Sequence, residues 1–200
     1  MNPIPLNLAF EDQISEIVMM KMAEKAKIFF VSNSYSKGGY GYLRRNIRGW
    51  NHAAKGCPFF VLTDLDNINC APALINDWMQ EERHPNLIFR VAVKEVEAWL
   101  LADIDGFSKY TGVAKANFIE NTESLIDPKA EIFRLMKRCR KRNIREDILP
   151  KDEYAKIGPN YNERLSEFVN EFWSISRAIK RSDSLKRAMH QLVSFKVVYK

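Results

Sequence analysis

The stretch Pro58-Phe59-Phe60-Val61-Leu62-Thr63-Asp64-Leu65-Asp66-Asn67 (PFFVLTDLDN) decides how this chain is read. Four consecutive apolar residues lie between a proline and an acidic turn. A strand that faces water on one side alternates apolar with polar residues. A continuous apolar run fits a strand covered on both faces, as in a parallel sheet. Similar runs flank it. Lys27–Val31 (KIFFV) and Asn86–Val93 (NLIFRVAV) read as strands, and Pro5–Phe10 places Leu6, Leu8 and Phe10 in alternation. Between them the spacing predicts helices over Asp12–Ala26, Tyr42–Ala54 and Ala71–Glu82, the first with Ile14, Ile17, Val18, Met22 and Ala26 on one stripe. Glu95–Ala102 continues with helical spacing. Strand and helix alternate from residue 5 to residue 102, which predicts an α/β fold with a mostly parallel, four-stranded Rossmann-type sheet. An antiparallel sandwich would need period-two strands and short hairpins, and these are mostly missing.

After about residue 104 the pattern is helical, with Ile132–Ile144, Tyr161–Trp173, Ser174–Lys180 and Ser184–Val193 as expected helices. The expected organisation is an α/β core over residues 1–105 and a basic helical extension over 106–200. Charge divides in the same place. Residues 1–100 hold 11 basic and 11 acidic side chains, and residues 101–200 hold 20 and 14, so the whole net charge of +6 sits in the second half. No apolar run approaches the roughly 20 residues of a membrane span. Met1–Phe10 carries no basic leader and is followed by Glu11 and Asp12. Cys57, Cys70 and Cys139 are odd in number and widely spaced, which fits neither a disulfide framework nor a zinc knuckle. These features point to a cytoplasmic protein without a membrane partner.

Acids gather where strands end. Glu11 follows the first strand, Asp64 and Asp66 the third, Glu95 and Glu97 the fourth. In an open parallel sheet, functional groups collect at the carboxyl ends of strands, whatever their separation in sequence. Asp64 and Asp66, two apart in extended chain, would point the same way and repel unless a cation lay between them. Mg²⁺ suits such oxygen donors. Each acid also has a plain reading: Asp-x-Asp as a turn or cap, the glutamates as first-turn helix acids. The combination is less easily reduced to capping.

That combination resembles the Toprim fold of topoisomerases, primases and OLD-type nucleases, over roughly residues 4–105. Glu11 in LAFEDQISE looks like the Toprim glutamate, although Asp12–Gln13 replaces its usual surroundings. Asp64 and Asp66 in FFVLTDLDN look like the Toprim Asp-x-Asp. The segment RVAVKEVEAWLLAD, with Glu95, Glu97, Trp99 and Asp103, is similar to an uncharacterised Toprim-like family often encoded beside ATPases in bacterial anti-phage loci. Gly158-Pro159-Asn160-Tyr161-Asn162, Trp173, Ala178 and Ser182-Asp183-Ser184-Leu185-Lys186-Arg187 resemble that family too. The resemblance implies Mg²⁺- or Mn²⁺-dependent phosphodiester chemistry. Asp64 and Asp66 would hold the first ion, Glu11 would share a metal or move the proton, and Glu97 with Glu95 would complete a second site. Water is the expected nucleophile, although Tyr40 and Tyr42 are available. A partner ATPase is implied as well.

Basic residues supply the complementary expectation. Gly38-Gly39-Tyr40-Gly41 followed by Arg44 and Arg45 can present backbone N–H groups and a helix dipole to a phosphate, or serve as a flexible connection. Seven of the 12 residues from Arg134 to Arg145 are basic. One helix there would align Arg134, Arg138, Lys141 and Arg145, either for a phosphate backbone or as a solvated face. Lys94 reads as a strand-end surface lysine or a neutraliser of transition-state charge. His52, His84 and His190 have no paired ligands nearby in sequence and receive no metal role. The leading expectation is a Toprim-type nuclease. The alternatives are a non-catalytic interaction subunit of an ATPase complex and a nucleotide-binding protein, the last disfavoured by the missing glycine-rich fingerprints.

Overall fold

The four apolar runs pair into one all-parallel sheet in the computed structural model, which describes residues 2–198. The strands are β1 (Ile4–Ala9), β2 (Phe29–Tyr35), β3 (Phe59–Asp64) and β4 (Leu87–Ala92), in the order β2-β1-β3-β4. Helices α1 (Gln13–Ala26), α2 (Gly39–Ala53) and α3 (Ala71–Trp78) connect them. The chain divides into two compact units, residues 1–93 with 186–200, and residues 94–185. The expected line at residue 105 follows composition; this division follows contacts.

In the first unit, strand alternation sends neighbouring side chains to opposite faces. Ala9, Phe59, Val61, Leu87, Phe89 and Val91 form one buried cluster with Leu43, Ile47 and Trp50 of α2 and Leu74 and Trp78 of α3. Leu6, Leu8, Phe60, Leu62 and Ile88 are equally buried and alternate with them. Helix α1 lies against β1 and β2. It begins where the Asp12 carboxylate accepts the Ser15 N–H at 2.8 Å, and ends at Lys27, whose left-handed backbone (φ 61°) turns its N–H onto the Glu24 carbonyl.

Two boundaries in the first unit differ most from expectation. Strand β2 does not stop at Val31 but continues through Ser32, Asn33 and Ser34. It is an edge strand, so polar side chains there meet water, and Asn33 Nδ2 donates to Asn7 Oδ1 at 2.9 Å. Helix α3 stops at Trp78, short of Glu82, because buried Asn51 holds the following loop: its Oδ1 accepts the His84 N–H at 2.8 Å and its Nδ2 donates to the Glu82 carbonyl at 3.0 Å. The C-terminal segment returns to this unit. Phe195 meets Phe29 with ring centroids 5.4 Å apart, and Val198 makes two backbone bonds, each 2.9 Å, with the buried Asn86 amide.

The second unit holds α4 (Val96–Leu101), α5 (Ile104–Thr111), α6 (Pro128–Met136), α7 (Arg142–Ile148), α8 (Tyr161–Glu171), α9 (Ile175–Ala178) and the first turn of α10 (Asp183–Val193). Buried polar groups tie it together. Asp103, wholly buried, accepts from the Gly106 and Ser174 N–H groups and takes both Nε and Nη2 of Arg177, at 2.6 and 2.8 Å. A β-carbon on Gly106 would overlap that carboxylate. Glu123 accepts from both serine hydroxyls of Ser182-Asp183-Ser184, and Trp99 Nε1 donates to Ser184 Oγ at 2.7 Å. Gly158 leaves no room for a β-carbon against the carbonyls of Asp147 and Ile148.

The single helix expected over Ile132–Ile144 is broken. Helix α6 ends at Met136 and α7 begins at Arg142. A continuous helix would stack four like-charged i,i+4 pairs (Arg134–Arg138, Lys137–Lys141, Arg138–Arg142 and Lys141–Arg145), each of them repulsive. In the break, Cys139 turns inward and its thiol faces the Thr111 carbonyl at 3.1 Å. Among the described residues, no helix is long and apolar enough to cross a membrane.

Replacing Asp103 with Ala leaves two N–H groups and a guanidinium without their acceptor. The expected loss is about 2–4 kcal/mol, discounted because Arg177 is partly exposed. Urea unfolding followed by tryptophan fluorescence checks this, and Arg177→Ala should lose less than Asp103→Ala.

Candidate functional site: an acidic crevice between β1 and β3

From β1 the chain crosses to β2 on one side, then returns to β3 on the other. Such a reversal opens a crevice outside the carboxyl ends of the two central strands. Ala9 of β1 pairs with Val61 of β3. Two residues further on, the same register sets Glu11 beside Thr63. The Thr63 hydroxyl and the Asp64 N–H, the latter at 3.0 Å, both donate to Glu11 Oε1. The other oxygen, Oε2, faces the glycine turn, 4.0 Å from where a β-carbon on Gly39 would stand.

That turn needs glycine. Gly38 and Gly39 have φ of 101° and 66°, a region that side chains with a β-carbon rarely enter. The turn places the amino end of α2 at the Glu11 carboxylate, where the helix dipole favours negative charge. Tyr40 is anchored by an edge-on contact with Trp78, whose Nε1 donates to the Tyr40 hydroxyl at 3.2 Å. Ser36 donates to the Glu11 carbonyl at 3.3 Å.

Burial pushes the Glu11 carboxyl above its ordinary value of 4.5. The bonds from Thr63 and Asp64 counter part of that shift, and the charges of Asp66 and Asp12 add to it. Asp66 is therefore close enough to repel Glu11. It does not share an extended strand with Asp64, as the two-residue spacing suggests. Strand β3 ends at Asp64, and Asp66 sits exposed in a turn with left-handed backbone (φ 48°). Asn67 and the residues after it have to fold back into α3, and the turn at Asp66 starts that reversal.

Glu95 and Glu97 lie in the second unit, where Glu95 is the N-cap of α4 and Glu97 stands in its first turn. The Glu97 carboxylate is buried. The Tyr161 hydroxyl donates to it at 3.0 Å and Lys129 Nζ lies at 3.5 Å. Lys94 has a left-handed backbone at the turn into α4. Among the described residues, no group of three or more His, Cys, Asp or Glu side chains is arranged to hold a metal ion.

The basic candidates separate. Arg44 pairs with Asp77 at 2.9 Å, and Arg45 Nη1 lies over Gly41, 3.3 Å from where a β-carbon would stand. Arg134 is held by Glu131 and the Asn117 carbonyl, so it is committed within its own unit. Arg145 Nη1 reaches the Cys139 carbonyl at 3.4 Å, and Lys141 Nζ stands 5.9 Å from the Tyr110 ring centroid. The expected stripe of Arg134, Arg138, Lys141 and Arg145 does not form, because the helix carrying it is broken. Lys137, Arg138, Arg140 and Lys141 instead make an exposed basic turn around buried Cys139. Sequence reasoning missed Thr63 and the pair Tyr161 and Lys129. The register of two parallel strands makes Thr63 legible in retrospect, while no local signal links Tyr161 to Glu97.

A family model described as a domain of unknown function (DUF4276) matches residues 11–162, from Glu11 to Asn162. The chain belongs to that family. No curated protein and no solved structure matches the chain.

A carboxyl group held above its unfolded value binds a proton that the unfolded chain has already released. Stability then falls as pH rises from about 4.5 through the folded value. Glu11→Gln keeps an acceptor for Thr63 and Asp64 but cannot ionise. Urea midpoints from pH 4 to 8 should show wild type losing stability relative to Glu11→Gln as pH rises. Parallel curves would show that Glu11 does not carry the effect.

Proposed function

We propose that this member of the family is a divalent-cation-dependent phosphodiesterase acting on nucleic acid, with Glu11, Asp64 and Asp66 as its reactive acids. One observation carries the reading. A partly buried carboxylate stands at the switch point of a parallel sheet, one oxygen fixed by Thr63 and Asp64 and the other facing the amino end of α2. Such burial raises the energy of the charged form, so a purely structural role would favour a neutral side chain there.

The donor chemistry fits Mg²⁺ or Mn²⁺. All three acids offer hard oxygen ligands, and Mg²⁺ is commonly held by one or two carboxylates together with waters and substrate phosphates, without a closed protein cage. Asp64 and Asp66 would hold the ion, with Glu11 beside them. When bound, it would supply Lewis acidity and a lowered water pKa. The chain's own residues then have separate tasks. Thr63 and the Asp64 N–H orient Glu11. Glu11, with its proton affinity raised by burial, accepts or returns a proton at Oε2. The amino end of α2 and Arg45 attract the phosphate. The exposed turn of Lys137, Arg138, Arg140 and Lys141 offers a salt-sensitive contact for a polyanion. Glu97 is occupied by Tyr161 and Lys129, and the reading does not depend on it. The three cysteines are free, which agrees with a reducing, cytoplasmic setting.

A second reading is a non-catalytic interaction subunit, for which an ATPase remains the proposed partner. It is favoured by the finding that no three ligands among the described residues are arranged for a metal.

Supercoiled plasmid and single-stranded RNA, incubated with Mg²⁺ or Mn²⁺, separate the two readings. Cleavage should appear and fall by about 10²-fold or more in Asp64→Ala and in Glu11→Gln. Cleavage that survives in Asp64→Ala would come from a contaminant. Calorimetric titration with Mn²⁺ adds an independent readout: binding lost in Asp64→Ala supports the catalytic site, and no binding by wild type supports the interaction subunit.

A further inference from the structure

A second polar site lies within the first unit, at the other end of the strands from Glu11. A cavity of about 350 Å³ is lined by Asn51, His52 and Lys55 at the carboxyl end of α2, and by the loop from Glu81 to Pro85 that leads into β4. Strands of six residues separate the two ends by about 20 Å.

The loop is held in place by buried amides. Asn51 accepts from the His84 N–H and donates to Glu81 Oε1 and the Glu82 carbonyl, at 2.8, 3.1 and 3.0 Å. Asn86 donates to the Ala54 carbonyl at 3.1 Å. Glu81 is further engaged by His52 Nε2 at 3.5 Å. Lys55 and Arg83 are exposed at the cavity, and among the described residues neither forms an ion pair.

His84 supplies the directional element. Its Nδ1 accepts the Asn86 N–H at 3.2 Å, so in the neutral ring the proton resides on Nε2. That Nε2 is buried and has no hydrogen-bond partner. A buried donor without an acceptor is costly and uncommon. The cavity carries mixed charge, with Lys55 and Arg83 beside the carboxylates of Glu81 and Glu82, of which Glu81 is already engaged by Asn51 and His52. Burial, and then the charges of Arg83 and Arg187, hold the Arg90 guanidinium below the ordinary arginine value, so Arg83 belongs to a group of cations that repel one another. An oxyanion would give the His84 Nε2–H an acceptor and Arg83 a counter-charge.

We infer that this cavity binds a phosphoryl group, with Lys55 and Arg83 supplying charge and the His84 Nε2–H a directed hydrogen bond. The site shares no residue with the acidic crevice, so it stands or falls independently of the phosphodiesterase reading. The phosphoryl group could be free or carried by a small organic ligand.

Calorimetric titration of the full chain with inorganic phosphate and with adenosine monophosphate, at constant ionic strength, tests it. Saturable binding of either probe is expected, weakened at least tenfold in Lys55→Ala/Arg83→Ala and in His84→Ala, and unchanged in Glu11→Gln. Tighter binding of the nucleotide than of phosphate would identify an organic phosphate as the ligand. Equal affinity would identify the free oxyanion. His84 ring resonances should shift on saturation, which separates direct contact from a general charge effect. No saturable binding of either probe, or binding unaltered in a double variant that unfolds at the wild-type urea midpoint, overturns the proposal.

Discussion

The side-by-side pairing of β1 with β3 is the constraint on which the acidic crevice depends. These strands are far apart in sequence, yet their register brings the residue two past Ala9 alongside Thr63. The Thr63 hydroxyl and the Asp64 N–H then close onto one carboxylate oxygen. Without that pairing, Glu11 would be an ordinary acid before a helix. With it, the side chain is oriented, partly dehydrated and placed against the amino end of α2. The glycine turn completes the enclosure, because only residues free to adopt positive φ bring α2 so close.

Much of this was legible in the chain itself. The continuous apolar run at Phe59–Leu62, and that at Leu87–Ala92 broken only by Arg90, gave the covered parallel strands, and the alternation of strands with helices gave the fold class. Convergence of Glu11 with Asp64 followed from the rule about strand ends. The rest depended on competition between local terms. Asp66 left the face expected of it because the chain must reverse after β3. The basic segment reads as one helix because Arg134, Arg138, Lys141 and Arg145 keep helical spacing. Charge repulsion between neighbouring turns overrode that periodicity. Polar Ser32–Ser34 looked like a boundary, but an edge strand tolerates such residues on its open side.

The polar motifs of the second unit tell a different story. Asp103, Gly158, Ser182 and Ser184 are residues that a motif search would mark as functional. In the structure, Asp103 caps α5 and grips Arg177, Gly158 allows two backbones to meet, and the serines share the Glu123 carboxylate. The chemistry of Asp103 and the serines is that of satisfied buried polar groups, which add directional bonds to the apolar core of these short helices. The excess positive charge of the second half is likewise unevenly distributed. Arg134, Arg142, Arg164 and Arg177 are paired with acids, while the turn around Cys139 remains cationic at the surface.

The Asn86 amide, bonded to the backbone of Val198, has a consequence for the order in which the protein is made. The first unit is discontinuous: its sheet is complete by residue 92, but residues 186–198 belong to it as well. On the ribosome, β4 emerges more than 100 residues before the segment that occupies the Asn86 side chain. At synthesis rates of about 5–20 residues per second, several seconds pass between the two, during which that amide and Phe29 lack these partners. Residues 94–185, the second unit, are synthesised in the interval. Closure of the first unit therefore waits for a segment made after the whole of the second unit, and it couples the integrity of the sheet to residues far downstream of it.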